Sequence, residues 1–127
     1  MWSEENVLDA LVVGAGFGGL HCLHKLRKEG FVAKLFEAGS GLGGTWFWNR
    51  YPGARVDSDF PLYQFGDEQL WDFEWTERFP GHAELRRYFQ HVDRKLNSSK
   101  DIQFNTCVTK AAWEETKSHW VVTTSFG

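Results

Sequence analysis

The sequence has little cysteine, no long apolar run and no excess of positive charge, and each shortage excludes something. Two cysteines in 127 residues are too few for a small secreted scaffold stapled by several bridges. Cys22 and Cys107 stand far apart, on an expected helix and an expected strand, and read as buried free thiols. They suit a reducing, cytoplasmic compartment. No apolar run approaches the roughly 20 residues that span a bilayer. The start, Met1-Trp2-Ser3-Glu4-Glu5-Asn6, is acidic where a secretion signal would be basic. Lys plus Arg number 14 against 17 Asp plus Glu, a formal net charge of -3. That balance offers no footprint for nucleic acid and no attraction to an anionic membrane. Internal repeats and low-complexity linkers are missing as well.

What is plentiful is aromatic: 7 Trp, 11 Phe and 3 Tyr. With 42% hydrophobic and 24% charged residues the chain reads as folded rather than disordered. Its length suits one domain. The aromatic load is more than one small core absorbs easily, and it points to buried surface beyond this length.

Val7-Leu8-Asp9-Ala10-Leu11-Val12-Val13 is a nearly continuous apolar run, the pattern of a strand buried on both faces. Gly14-Ala15-Gly16-Phe17-Gly18-Gly19 follows directly. A helix is expected from Leu20 to Glu29, with Leu20, Leu23 and Leu26 on one face and Gly30 as its stop. Phe31 to Glu37 reads as the second strand. Residues 7–37 thus form a βαβ unit, whose crossover should be parallel and right-handed. From 38 to 81 neither period is sustained, and a segment this long without structure tends to be functional. Short helical turns are expected there, Glu68 to Trp75 being one candidate. Leu85, Phe89, Val92 and Leu96 then mark an amphipathic helix over 82–96, ended by Asn97-Ser98-Ser99-Lys100. A short strand, 102–106, precedes a hairpin or meander of 108–113 and 120–124 around a polar turn.

A G-x-G-x-x-G match gains meaning from lying between a buried strand and a helix. Gly14 permits the tight turn, Gly16 lets backbone approach a pyrophosphate, and Gly19 lets helix pack on strand. Backbone N–H groups and the helix dipole then face the phosphates, so no basic patch is needed. Glu37, 18 residues after Gly19, suits the acid that bonds a ribose diol and would repel a 2′-phosphate. A plain connecting turn, with Glu37 a solvated charge, is the bland alternative. The second cluster, Gly39-Ser40-Gly41-Leu42-Gly43-Gly44-Thr45-Trp46, suits a second backbone approach to the same ligand. With the aromatic stretch behind it, it favours FAD over NAD; a flexible linker is the competing reading. The expected class is therefore α/β: a Rossmann-like FAD-binding fold, a parallel sheet with an antiparallel β-meander at its C-terminal end, and incomplete.

At these residues the sequence resembles the class B flavoprotein monooxygenases, specifically the Baeyer–Villiger monooxygenases. The matching features are the glycine turn, Glu37, Gly43-Gly44-Thr45-Trp46, Trp48-Asn49-Arg50-Tyr51-Pro52-Gly53-Ala54-Arg55 and Asp57. Tyr63 and the helix near Tyr88 fit the same pattern. The resemblance covers nearly the whole chain, and the block 43–57 is its most specific part. It implies an FAD-dependent, NADPH-consuming enzyme that uses O2, through a C4a-peroxyflavin, to turn a ketone into an ester or lactone. It also implies that Gly14, Gly16, Phe17, Gly18, Gly19, Glu37, Ala38, Gly43, Gly44, Thr45, Trp46, Trp48, Tyr51, Asp57 and Tyr63 hold the cofactor. Asp57 would lie where flavin meets nicotinamide, paired with an Arg from a later part of the family's chain. An F-x-G-x-x-x-H-x-x-x-W pattern, a second G-x-G-x-x-G for NADPH and the Ala-Thr-Gly segment after the meander have no match here. Many members have a small residue where this chain has Phe60. NADPH-binding and substrate parts are thus expected in a remainder of the same enzyme. The alternatives are an N- or S-oxidising enzyme of the same class, or a non-catalytic dinucleotide-binding piece.

Other residues read as structural. Asp57-Ser58-Asp59 is also turn chemistry. Arg50 and Arg55 could meet an anion or stack on rings. Trp46 and Trp48 are read as walls rather than chemistry. His21 and His24 share a helical face without a third ligand, so a solvated face is expected and no metal. His82, His91 and His119 show no acid–base constellation.

Overall fold

The computed structural model describes residues 7–127; the acidic start, residues 1–6, lies outside the described residues. Strand β1 (Ala10–Val13), helix α1 (Phe17–Lys28) and strand β2 (Ala33–Phe36) form the expected βαβ unit. β1 and β2 pair in parallel, Ala10 opposite Ala33 and Val13 opposite Phe36. Both strands are shorter than their apolar runs. Asp9 ends the ladder, its carboxylate accepting the Val32 N–H at 2.7 Å, and Phe31 and Val32 stay exposed. Burial on both faces is not what the structure has. Val12 and Leu35 are buried, and Leu35 faces α1, whereas Val13 on the opposite side is 62% exposed.

Helix α2 (Thr45–Trp48) and short 3-10 turns at Phe60–Leu62 and Glu68–Leu70 punctuate the long middle stretch. Asp67 caps the second turn by accepting the Gln69 N–H. The Gln69 side-chain amide donates to the other carboxylate oxygen at 2.8 Å and, more than the backbone bond, holds the Asp67 carboxyl below its usual range. Helix α3 (His82–Leu96) has the span that its spacing predicts. It ends where Asn97 turns left-handed at φ 50°, and Arg27 of α1 donates to the Leu96 carbonyl at 3.1 Å. A further 3-10 turn at Ser98–Asp101 leads into β3 (Ile102–Gln103), which extends the parallel sheet on the far side of β2. β4 (Val108–Glu114) and β5 (His119–Thr124) make the expected antiparallel hairpin.

The core lies between α1, α3 and one face of the sheet. Leu20, Leu23, Leu35, Leu85, Tyr88, Phe89 and Val92 are essentially inaccessible. The middle stretch wraps this core rather than hanging loose. Trp75 and Phe73 pack on the Tyr88 ring with centroids 4.8 and 5.3 Å away. The Phe65 N–H donates to the Tyr88 hydroxyl at 2.9 Å. Burial pushes that hydroxyl's pKa up to about 12. Both cysteines are exposed, contrary to expectation. On α1 the Leu20–Leu23 line faces the core, which turns Cys22 outward; Cys107 precedes β4. No helix among the described residues is long and apolar enough to cross a membrane.

Candidate functional site: two glycine segments and a buried carboxylate

The end of β1 turns sharply at Gly14, whose φ of +95° suits glycine. A Cβ on Gly19 would overlap the Gly14 carbonyl oxygen, so α1 can start against the strand only because that side chain is missing. α1 begins with no side-chain cap and no acid in its first turn. The first N–H to bond within it is that of Leu20, to Gly16 O at 3.0 Å. The N–H groups before it are left to other partners, with the positive end of the helix dipole behind them. The Phe17 side chain turns inward, 4.6 Å from Phe89 and 5.1 Å from Tyr63 between ring centroids, so its backbone is the part that belongs to the turn's outer side.

Glu37 is 5% exposed at the end of β2. One carboxylate oxygen accepts the Ala15 N–H at 2.6 Å and the other accepts the Gly39 N–H at 2.8 Å. A buried carboxylate without donors would be costly; here two backbone donors meet it. Each oxygen still has acceptor capacity beyond the one N–H it takes. The Gly43 N–H donates to Ala15 O at 3.0 Å. Glu37 and this bond join the first glycine segment to the second.

The second segment folds back on the first. Gly44 has φ +55°, and a Cβ there would lie 2.9 Å from Gly16 Cα. Its other glycines make room for a ring: Cβ atoms on Gly39 and Gly41 would lie 2.6 and 3.1 Å from Phe47 ring carbons. The sequence reading weighed a second approach to a ligand against a flexible linker for this cluster and missed the ring. A Phe three residues past a Gly-Gly pair was the signal available. Trp46 is buried, and its indole N–H donates to the Tyr63 hydroxyl at 3.1 Å. Ala38 and Thr45 are exposed, and Trp48 and Tyr51 are 61% and 62% exposed.

Asp57 is exposed and forms no hydrogen bond or ion pair with another described residue. Its neighbour Asp59 carries the local structure: the Arg78 guanidinium donates to both its oxygens, at 2.9 and 3.1 Å. That pairing raises the Arg78 pKa. Arg50 donates to Phe47 O at 2.7 Å and lies over the Phe47 ring. Arg55 donates to Phe79 O at 3.0 Å and faces Glu77. His24 is half-buried and 3.3 Å from Asp67, so that face of α1 is less solvated than expected. Among the described residues no group of three His, Cys, Asp or Glu side chains could hold a metal.

Sequence reasoning missed Arg86. This half-buried α3 residue donates to Trp46 O at 3.0 Å and pins the end of α2. Nothing in the α3 pattern distinguishes it from any other charged residue at the edge of an apolar stripe.

The model of the NAD(P)-binding Rossmann-like domain matches residues 12–73. The chain is 49% identical to an FAD-binding monooxygenase, acrE, of Aspergillus aculeatus, over 98% of this chain and 21% of that protein. It is 48% identical to a cyclopentanone 1,2-monooxygenase of a Comamonas species, over 94% of this chain and 22% of that protein. Among solved structures, cyclohexanone monooxygenase from Rhodococcus sp. Phi1 bound to NADP+ superposes with a TM-score of 0.92 at 38% identity, covering 96% of this chain and 24% of that one. The chain therefore spans about a fifth of the length of these curated relatives. The parallel βαβ unit, the two glycine segments and this identity along nearly the whole chain make it the counterpart of the FAD/NAD-binding region of Baeyer–Villiger-type monooxygenases.

Proposed function

We propose that this chain supplies the FAD-binding part of an NADPH-consuming monooxygenase that inserts one oxygen atom of O2 beside a ketone carbonyl, giving an ester or lactone. The observation that carries the reading is the uncapped start of α1 beside the buried Glu37 carboxylate. A pyrophosphate suits the free N–H groups of the turn at Gly16, Phe17, Gly18 and Gly19, while Gly14, whose own N–H donates to Phe36 O at 2.9 Å, makes the bend that presents them. Ribose hydroxyls suit the acceptor capacity left on Glu37, beside Ala38. The closeness of Gly44 to Gly16 leaves backbone, not side chains, to meet such a ligand.

FAD, when bound, supplies the redox chemistry toward O2. The chain's own part is to hold and shield it. Gly43, Gly44 and Thr45 border the ligand side of the second segment. Trp46 and Tyr63, tied by their hydrogen bond, form a dry wall. Trp48 and Tyr51 offer exposed ring faces. Asp57, free of local partners, is the carboxylate available to a cation from the rest of the enzyme. The NADPH and ketone sites belong to that remainder. Two exposed, unpaired cysteines suit the reducing cytoplasm.

The test begins with the 127-residue chain equilibrated with FAD and freed of excess. Retained absorbance between about 370 and 450 nm is expected, as for a bound flavin. A chain that retains none is not a self-sufficient flavin site. Glu37→Ala should weaken uptake about tenfold or more, the scale of a lost hydrogen bond to a charged group. Unchanged affinity would remove the ribose assignment. In the full-length enzyme Asp57→Asn should keep FAD bound while NADPH oxidation in the presence of ketone falls.

A further inference from the structure

A cavity of about 380 Å³ opens between α1, α3 and the segment 65–70. No residue of either glycine segment lines it. Its floor is apolar, made by Leu20 of α1, Val92 and Leu96 of α3, Leu70 and the Phe65 ring. All five are buried or half-buried.

The rim has another character. Leu20, His24 and Lys28 stand four residues apart and share a face of α1, with His21 and Lys25 beside them. The His21 ring lies nearly parallel to the Phe65 ring, centroids 6.2 Å apart, and extends its flat wall. Asp67 is the one acid among the lining residues, and its oxygens are taken. They accept the Gln69 N–H and side-chain amide, and one lies 3.3 Å from His24 Nε2. Lys25 and Lys28 are exposed, and among the described residues neither meets a carboxylate. Their neighbours do: Arg27 and Lys34 meet Asp101, and Lys95 meets Asp72.

Each half of this arrangement alone is ordinary. Lysines in a last turn favour the negative end of the helix dipole, and an apolar floor suits any oily group. Together, on one cavity, they select. The floor takes apolar surface out of water, which a bare inorganic anion cannot use. The two ammonium groups, on flexible stems, leave their donors to a single negative group at the edge. The volume lies at the lower end of small-molecule sites and is too small for a folded partner.

We propose that this cavity binds a small organic acid, its apolar body on Leu20, Phe65, Leu70, Val92 and Leu96 and its carboxylate at Lys25 and Lys28. The His21 ring covers the body beside Phe65. The site is separate from the dinucleotide turn: it draws its anion by side-chain ammonium groups, whereas the turn offers backbone N–H groups.

The experiment titrates the intact 127-residue chain with octanoate, and in parallel arms with acetate and octanol. Binding is read by calorimetry and by the ring resonances of His21 and His24. Octanoate should shift both saturably. Acetate, which lacks the body, and octanol, which lacks the charge, should each bind at least about tenfold more weakly. Lys25→Gln and Lys28→Gln should each weaken octanoate about threefold and together about tenfold, the scale of partly screened ion pairs. Both positions are exposed, so the variants keep the fold, and Lys117→Gln on the distant hairpin turn should bind as the parent does. The proposal is overturned if the histidine resonances stay put, if acetate or octanol binds as well as octanoate, or if the double variant loses nothing. Shifts confined to the exposed rings of Trp113 and Trp120 would also sink it, as adsorption on the hairpin. Glu37→Ala should leave octanoate binding unchanged, so a failed dinucleotide site and a failed acid site are told apart.

Discussion

The two glycine segments, 14–19 and 39–44, look alike as composition and differ as structure. In the first, Gly14 takes a left-handed turn and Gly19 lets α1 begin against the backbone of β1. Those needs come from the chain's own path, and the open N–H groups of α1 are their by-product. In the second, Gly39 and Gly41 clear space for the Phe47 ring and Gly44 lies against Gly16. Its glycines serve the contact between segments and the seat of one side chain. A glycine-rich stretch is therefore not one kind of evidence. What decides its meaning is the atom that a Cβ would strike.

Substitutions sharpen this contrast, and their effects should fall in a clear order. Gly19→Ala meets backbone that cannot step aside, and should destabilise the fold by about 3 kcal/mol, measured by urea unfolding. A loss below about 1 kcal/mol would show that α1 can slide away from β1. Gly44→Ala carries a left-handed backbone and the Gly16 contact, and should cost about 2 kcal/mol. It should also separate the two segments, so FAD uptake should fall further than stability does. Gly18→Ala is the smallest. Gly18 has an ordinary φ, nothing lies within 4 Å of its Cβ, and it sits in the first turn of α1. The change should add about 0.5 kcal/mol of stability. If FAD uptake nevertheless drops, a ligand must approach that face of the turn. If neither changes, Gly18 has no role in either respect.

The parts of the fold that were legible in the sequence are those with a local cause. The α3 stripe of Leu85, Phe89, Val92 and Leu96 marks a helix because neighbours along one helical face bury together. The hairpin around Glu115–Ser118 is legible because alternating side chains flank a polar turn. The strand ends were not: whether Val7 and Phe31 join a ladder depends on Asp9 capping Val32, a contact across 23 positions. The cysteines were misjudged because burial depends on which way the helix faces, and that is set by packing. The aromatic middle stretch had no readable period because its rings pack on Tyr88 and Phe17 of the helices as well as on one another, at no regular spacing. Part of the aromatic excess is thus accounted for inside the chain, while Trp48, Trp71, Trp113 and Trp120 stay exposed.

By itself the sequence determined the βαβ unit, the place of the turn at Gly14–Gly19 and the acid at position 37, because φ preference, apolar period and spacing act over short stretches. Only the tertiary structure decided what those residues touch. It closed Glu37 onto Ala15 and Gly39, set Gly44 against Gly16 and left Asp57 free while Asp59 took Arg78. It also brought Arg86 to the carbonyl of Trp46, 40 positions away. Such contacts join segments that are remote along the chain. Their geometry follows from how the layers pack, and no local preference encodes it.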